Sequence, residues 1–183
     1  MFLKGAVRLC IAGGGINANT TVGSGGAVWV HEAAGEATLK IGTECNQPPG
    51  ALTCPQGVPC NTVDANIAGG DIVGGGSFSG LTLDFDNIAL RNNHGTVLIE
   101  TAPQTFNGQI SNCNISANEL DSILISAGTK RTTLDFCTIA ENSIHNDWVF
   151  ATAAPLSLIN TIVWQPTKQT FDRTPFDNSR MLP

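Results

Sequence analysis

Residues 113–118 read CNISAN and residues 137–142 read CTIAEN, with Cys first, Ile third and Asn last in both. The same template returns upstream as NIALRN (87–92) and NTVDAN (61–66), and downstream as NTIVWQ (160–165). Its third position holds Val63, Ala89, Ile115, Ile139 and Ile162. Its sixth holds Asn66, Asn92, Asn118, Asn142 and Gln165. A short apolar run follows each Asn, at 72–73, 97–99, 123–125 and 148–150. Another precedes each window: LTLDF at 81–85, the stretch around Phe106 and Ile110, TTLDF at 132–136 and LSLI at 156–159. Self-similarity at a period of about 25 residues, with about three short strands in each, is the mark of a stacked repeat.

Two architectures suit such a period, a leucine-rich horseshoe and a parallel β-helix. The horseshoe needs dense leucine and usually a helical segment, and no window shows apolar spacing at i, i+3, i+4 long enough for a helix. The pattern therefore predicts an all-β chain, a single-stranded right-handed parallel β-helix of about seven short coils over residues 1–165. A chain that returns over itself at the ordinary strand spacing of roughly 4.8 Å stacks like positions on one another. That accounts for the recurring Asn, because a buried amide must satisfy its donors and acceptors, and amides directly above and below do so. Ile and Val at the third position form an aliphatic column, and Cys113 over Cys137 stack as two small apolar residues. One register is open. Matching Leu83 and Phe85 to Leu134 and Phe136 as inward residues puts Ile88 in the third position, whereas matching Asn92 puts Ala89 there. A one-residue bulge near Leu90 and Arg91 reconciles the two.

With 183 residues, 42% of them hydrophobic, the chain suffices for one domain with a continuous core. Twenty Gly, 13% charged residues and no Tyr suit short strands and tight corners. A net charge of -6, with nine Lys plus Arg and no basic run, excludes a nucleic-acid groove. No apolar stretch reaches the length of a transmembrane span. The opening MFLKGAVRLCIAGGG admits a leader or lipid-attachment reading at Cys10. Arg8 interrupts its apolar run, however, and bulky Leu9 stands where a small residue is wanted, so the chain is read as beginning inside a coil.

Cys45, Cys54 and Cys60 fall in TECNQPPGALTCPQGVPCNT, where four Pro prevent continuous strand pairing. The expectation is a loop insertion at about 43–60 tied by a disulfide. A zinc site with His31 lacks the paired CxxC spacing. A disulfide implies an oxidising compartment; the rival is reduced, buried thiols, particularly at Cys10, Cys113 and Cys137. Residues 166–183 read as a non-repeat, non-strand tail, with Phe171 or Phe176 folding back as a cap. The stack leaves open edges, and the N-terminal one is available to further coils or to end-to-end self-association.

The sharpest catalytic candidates are Asp84 and Asp86 in LDFD and Asp135 in LDFC, with Lys130 and Arg131 nearby. Two apart on a strand, Asp84 and Asp86 share a side, the outer one if Phe85 faces inward. Outward carboxylates on neighbouring strands serve as the acid and base of glycoside hydrolysis, or hold Ca²⁺ beside a Lys or Arg base for elimination. They are equally the solubilising residues of an outward face. No cofactor is expected beyond the Ca²⁺ of that lyase reading. NNHGTV (92–97) and NTVD (61–64) resemble the GHG and NTD elements of polygalacturonases. The first lacks a Gly, the second carries an extra residue, and that family's Asp pair and RIK phrase are absent. His94 is therefore read as a turn residue, and His31 and His145 carry no partner pattern. GGGSFSG (74–80) precedes no helix that receives phosphate, so it is a corner or loop.

GGGI (13–16), GGAV (25–28) and GGDI (69–72) resemble the GGA(I/L/V) repeats of chlamydial polymorphic outer membrane proteins and related bacterial right-handed β-helix surface proteins, although their FxxN element is absent. Paired Gly permits positive φ at a sharp corner. LINTIVWQ (158–165) resembles the closing coils of choice-of-anchor Q β-helix proteins, within a pectate-lyase-like superfold. The resemblance implies a secreted or surface-displayed bacterial passenger, structural or adhesive, with a glycan or a surface protein as partner. The alternative is a polysaccharide lyase or glycoside hydrolase using the aspartates.

Overall fold

The computed structural model describes residues 2–4, 8–31, 37–42, 61–70, 72–75, 81–101, 106–126, 132–145, 148–152, 156–165 and 169–171. Among them there is no helix, and every described strand pairing is parallel. One sheet runs Phe2–Lys4, Val28–His31, Val73–Gly75, His94–Thr101, Glu119–Ser126, Trp148–Thr152, Gln169–Phe171, with Thr20–Thr21, Ile67–Ala68 and Ser143–Ile144 paired alongside. The other runs Arg8–Ala12, Ala37–Gly42, Leu81–Arg91, Phe106–Ser116, Thr132–Asp135, Leu156–Ile159, and includes Gly15–Asn17, Asn61–Asp64, Thr138–Ala140 and Ile162–Trp164. Each strand lies on the corresponding strand of the next pass of the chain, an arrangement compatible with a β-solenoid.

Between the sheets lie files of apolar side chains: Ile41, Phe85, Ile110 and Leu134 in one, Val63, Leu90, Ile115 and Ile139 in another, each at most 1% exposed. Burial of each such side chain contributes about 1.5–3 kcal/mol. Two left-handed corners separate the files. Asn87, Asn112, Phe136, Asn160 and Gly13 form one, with φ of 53°, 49°, 52°, 47° and 64°. Ala18, Ala65, Asn92, Ala117 and Glu141 form the other, with φ between 54° and 57°. Asn and Gly accept this conformation readily, whereas Ala and above all Phe adopt it only where the surrounding structure holds them there.

After Ala65, Asn92, Ala117 and Glu141 the second corner delivers a buried Asn into the interior, and together with exposed Asn19 these side-chain amides form a continuous chain. Asn19 Nδ2 donates to Asn66 Oδ1 (2.9 Å), Asn66 to Asn93 (3.0 Å), Asn93 to Asn118 (2.9 Å) and Asn118 to Asn142 (2.8 Å). Each backbone N–H donates to the same oxygen as its side-chain amide. The second Nδ2 hydrogen goes to a third-position carbonyl, that of Ile16, Val63, Leu90 or Ile115. Gln165 ends the row. It accepts from Asn142 Nδ2 (2.9 Å) and N (3.0 Å) and donates back to Asn142 O (3.0 Å). Val163 lies opposite Ile139, so this last segment is one residue short of the others, and the longer Gln side chain spans the gap.

The register corrects the sequence reading in four places. Asn93, not Asn92, belongs to the amide row; Asn92 is the exposed corner residue before it. Leu90, opposite Val63 and Ile115, holds the third position instead of Ala89 or Ile88. What shifts the alternation is the left-handed Asn87, which the pairing skips between Asp86 and Ile88, and no bulge at Leu90 and Arg91 is involved. Likewise Thr161 opens the last window, so Val163 faces in and Ile162 is 63% exposed. The two LDF phrases are also out of register. Phe85 aligns with Ile110 and Leu134, whereas Phe136 sits at the corner, 61% exposed.

Cys113 and Cys137 are not stacked thiols but a disulfide between adjacent passes, with Cα atoms 4.5 Å apart, and Cys10 is also disulfide-bonded. In-register parallel neighbours bring two Cβ atoms pointing the same way within bonding reach. Gly42 lies opposite Ala12 and Thr62 opposite Gly15. The expected excursion at 43–60, with Cys45, Cys54 and Cys60, itself lies outside the described residues. Gln169–Phe171, in the stretch read as a tail without strands, pairs with Trp148–Thr152. The remainder of 166–183, including Phe176, is outside the described residues.

Replacing Asn93 with Ala orphans the amide of Asn66 and the carbonyl of Val63 in a buried setting. It should lower unfolding free energy by at least about 3 kcal/mol, at 1–3 kcal/mol for each orphaned group. Asn92→Ala should cost about 1 kcal/mol or less. Urea titrations of the two variants decide the register; equal effects would contradict it.

Candidate functional site

Asp84, Asp86 and Asp135 all lie on the outward side of the second sheet, because inward Phe85 (0% exposed) and Leu134 (0%) occupy the alternate positions. Asp86, Ser111 and Asp135 form one file across three passes, while Asp84 aligns with Gln109 and Thr133. Asp86 and Asp135 are thus two strand spacings apart, about 10 Å between Cα atoms.

Each carboxylate has a local partner. Asp84 Oδ2 pairs with Lys40 Nζ at 3.2 Å, on side chains more than a third exposed. Asp86 Oδ1 accepts from Ser111 Oγ (2.9 Å) and Asn112 Nδ2 (2.8 Å). Asp135 Oδ1 accepts from Asn160 Nδ2 (3.2 Å). Asp64 follows the same rule at the other corner, accepting from Asn92 Nδ2 (2.8 Å) and pairing with Arg91 Nε (2.9 Å). Asp64, Asp86 and Asp135, each next to a corner, are therefore tied to the left-handed Asn of the next pass, which links passes and satisfies the carboxylate's need for donors, whereas Asp84 pairs with Lys40. Lys130 and Arg131, the nearby cations of the lyase reading, lie outside the described residues.

A second polar group crosses the first sheet. His94, Glu119 and Ser143 share one register position. Glu119 Oε2 lies 3.1 Å from His94 Nδ1, and its Oε1 lies 3.6 Å from His145 Nε2, whose Nδ1 is 3.3 Å from Asp121 Oδ1. His94 and His145 therefore do have partners. The signal was present in the sequence: each position is one or three residues after a row amide, and counting from Asn92 instead of Asn93 concealed it. His94, Glu119 and His145 are more than half exposed and Asp121 is 43% exposed, so each pair is worth at most about 1 kcal/mol. Among the described residues no set of three or more His, Cys, Asp and Glu side chains is arranged to hold a metal ion, and no helix is long and apolar enough to cross a membrane.

Comparison with known protein families, with curated proteins and with solved structures finds no match. The chemistry of the site rests on its own geometry.

The two sorts of aspartate should differ in stability. Asp86→Ala removes two hydrogen bonds between passes and should cost about 1–2 kcal/mol. Asp84→Ala removes an exposed ion pair and should stay within about 0.5 kcal/mol of the parent. Denaturant midpoints at constant m-value report both.

Proposed function

We propose that the chain is a single right-handed parallel β-helix of about seven short coils, within a pectate-lyase-like superfold. It acts as a non-catalytic structural or adhesive passenger of a bacterial secreted or surface protein. The stack serves as a rigid scaffold whose outward polar side chains and loops meet glycans or surface proteins. The observation that carries this reading is the engagement of Asp84, Asp86 and Asp135 by Lys40, Asn112 and Asn160: carboxylates committed to links between passes are ill placed to exchange protons with a substrate. The Cys113–Cys137 bridge supports an oxidising compartment. Arrays of glycans and extracellular-matrix proteins probed with the intact protein should give binding; blank arrays of both kinds would remove the adhesive role.

One observation favours a second reading, a glycoside hydrolase or polysaccharide lyase. Asp86 and Asp135 lie outward in one file, two strand spacings apart, a spacing close to that of an inverting pair of carboxylates. Incubation with acidic polysaccharides, with and without Ca²⁺, should release neither reducing ends nor unsaturated uronides. Release that disappears in Asp86→Ala would instead establish the enzyme.

A further inference from the structure

A cavity of about 300 Å³ opens beside the first-pass strand Thr20–Thr21, lined by Asn19, Thr20, Thr21, Ser24 and Trp29 and by Gly25 and Gly26. Its volume is at the small end of the range for ligand pockets. Among the described residues no charged side chain lines it, and what they present is neutral and polar. Three hydroxyls and an amide supply donors and acceptors in quantity, and one half-buried indole supplies an apolar surface with a polar tip.

Two features show that the lining is positioned from within. Gly25 has φ +90°, and a Cβ placed there would stand 2.7 Å from Trp29 Cβ, so only glycine lets the Trp side chain leave the strand at this point. Gly26 is packed against Ile72 and Ala68, and the following Ala27 and Val28 are fully buried, which anchors the segment to the core. Asn19 opens the amide row. Its N and Nδ2 both donate to Asn66 Oδ1, fixing the orientation of the side chain. The oxygens of Asn66, Asn93, Asn118 and Asn142 each receive two N–H groups, whereas none among the described residues donates to Asn19 Oδ1. A file of aligned amides thus ends in an acceptor polarised by the bonds behind it.

We propose that this cavity binds a neutral saccharide. The class follows from the lining. A sugar ring presents several hydroxyls, each donor and acceptor, for Asn19, Thr20, Thr21 and Ser24, and carries C–H faces of weak positive character that suit an aromatic ring. This inference rests on the presenting function proposed above and assigns it a ligand class and a place.

The test is saturation-transfer NMR on the full chain with the methyl glycosides of galactose, mannose, fucose and N-acetylglucosamine, and with glucuronate as the charged control. At least one neutral glycoside should bind, and Trp29→Ala and Gly25→Ala should each weaken it by about tenfold or more. Asp84→Ala should leave it unchanged, and the melting curves of all variants should show folded protein. Thr21→Val, which removes one hydroxyl at nearly constant volume, should weaken binding without disturbing the fold. Binding that survives Trp29→Ala and Thr21→Val, or glucuronate binding as well as the neutral sugars, overturns the cavity assignment. Array signals that persist in those same variants would leave the presenting function standing without this site. Blank neutral glycosides together with blank arrays would remove both.

Discussion

A primary amide removed from water has two donors and an acceptor oxygen to satisfy, and this requirement governs the interior of the chain. In the row from Asn66 to Asn142 every Oδ1 takes a side-chain and a backbone N–H, and every Nδ2 reaches both the next amide and a third-position carbonyl. Loss of one member strands groups on two neighbouring passes, at about 1–3 kcal/mol for each group left unpaired. The apolar files contribute more in sum and fix which residues face in, but one aliphatic side chain can stack on another without a directional bond. Each amide must meet another amide, so the row adds a directional constraint on which passes align where.

From that row the remaining features follow in order. To bring an Asn inward after an outward residue, the chain needs a left-handed corner, and Ala65, Asn92, Ala117 and Glu141 supply it. A second corner reverses the alternation between Phe85 and Ile88 and between Ile110 and Cys113. The corners in turn place Asn side chains where they donate to the Asp of the preceding pass, so acidic residues on the outside become ties between layers. Cys113 and Cys137, inward at one position of adjacent passes, add a covalent tie. It joins residues at a sequence separation of 24, a closure worth roughly 3 kcal/mol.

Function is read from what these ties leave available. Carboxylates held by corner Asn link adjacent passes, and the His94–Glu119–His145–Asp121 group lies on the first sheet. The cavity near Trp29, lined among the described residues by uncharged side chains, differs from both, because its shape depends on a glycine that no other residue replaces and its polar end belongs to the amide row.

The sequence by itself determined that the chain is all-β and that Asn66, Asn118 and Asn142 share an environment, since a repeat of one phrase is legible without coordinates. It also showed Phe85 inward with Asp84 and Asp86 outward, by strand alternation alone. It put Asn92 in the amide row, where Asn93 belongs. The two adjacent amides are chemically identical, and only the left-handed φ of Asn87 and Asn92 reveals which one points in. Phe136 misled for the same reason: alternation predicts an inward ring, but a corner spends one residue without advancing the strand. The bond between Cys113 and Cys137, the pairing of His94 with Glu119 and the cavity beside Trp29 each join residues on different passes or around a corner. Tertiary structure alone decided them, because register across passes, and not distance along the chain, determines which side chains meet.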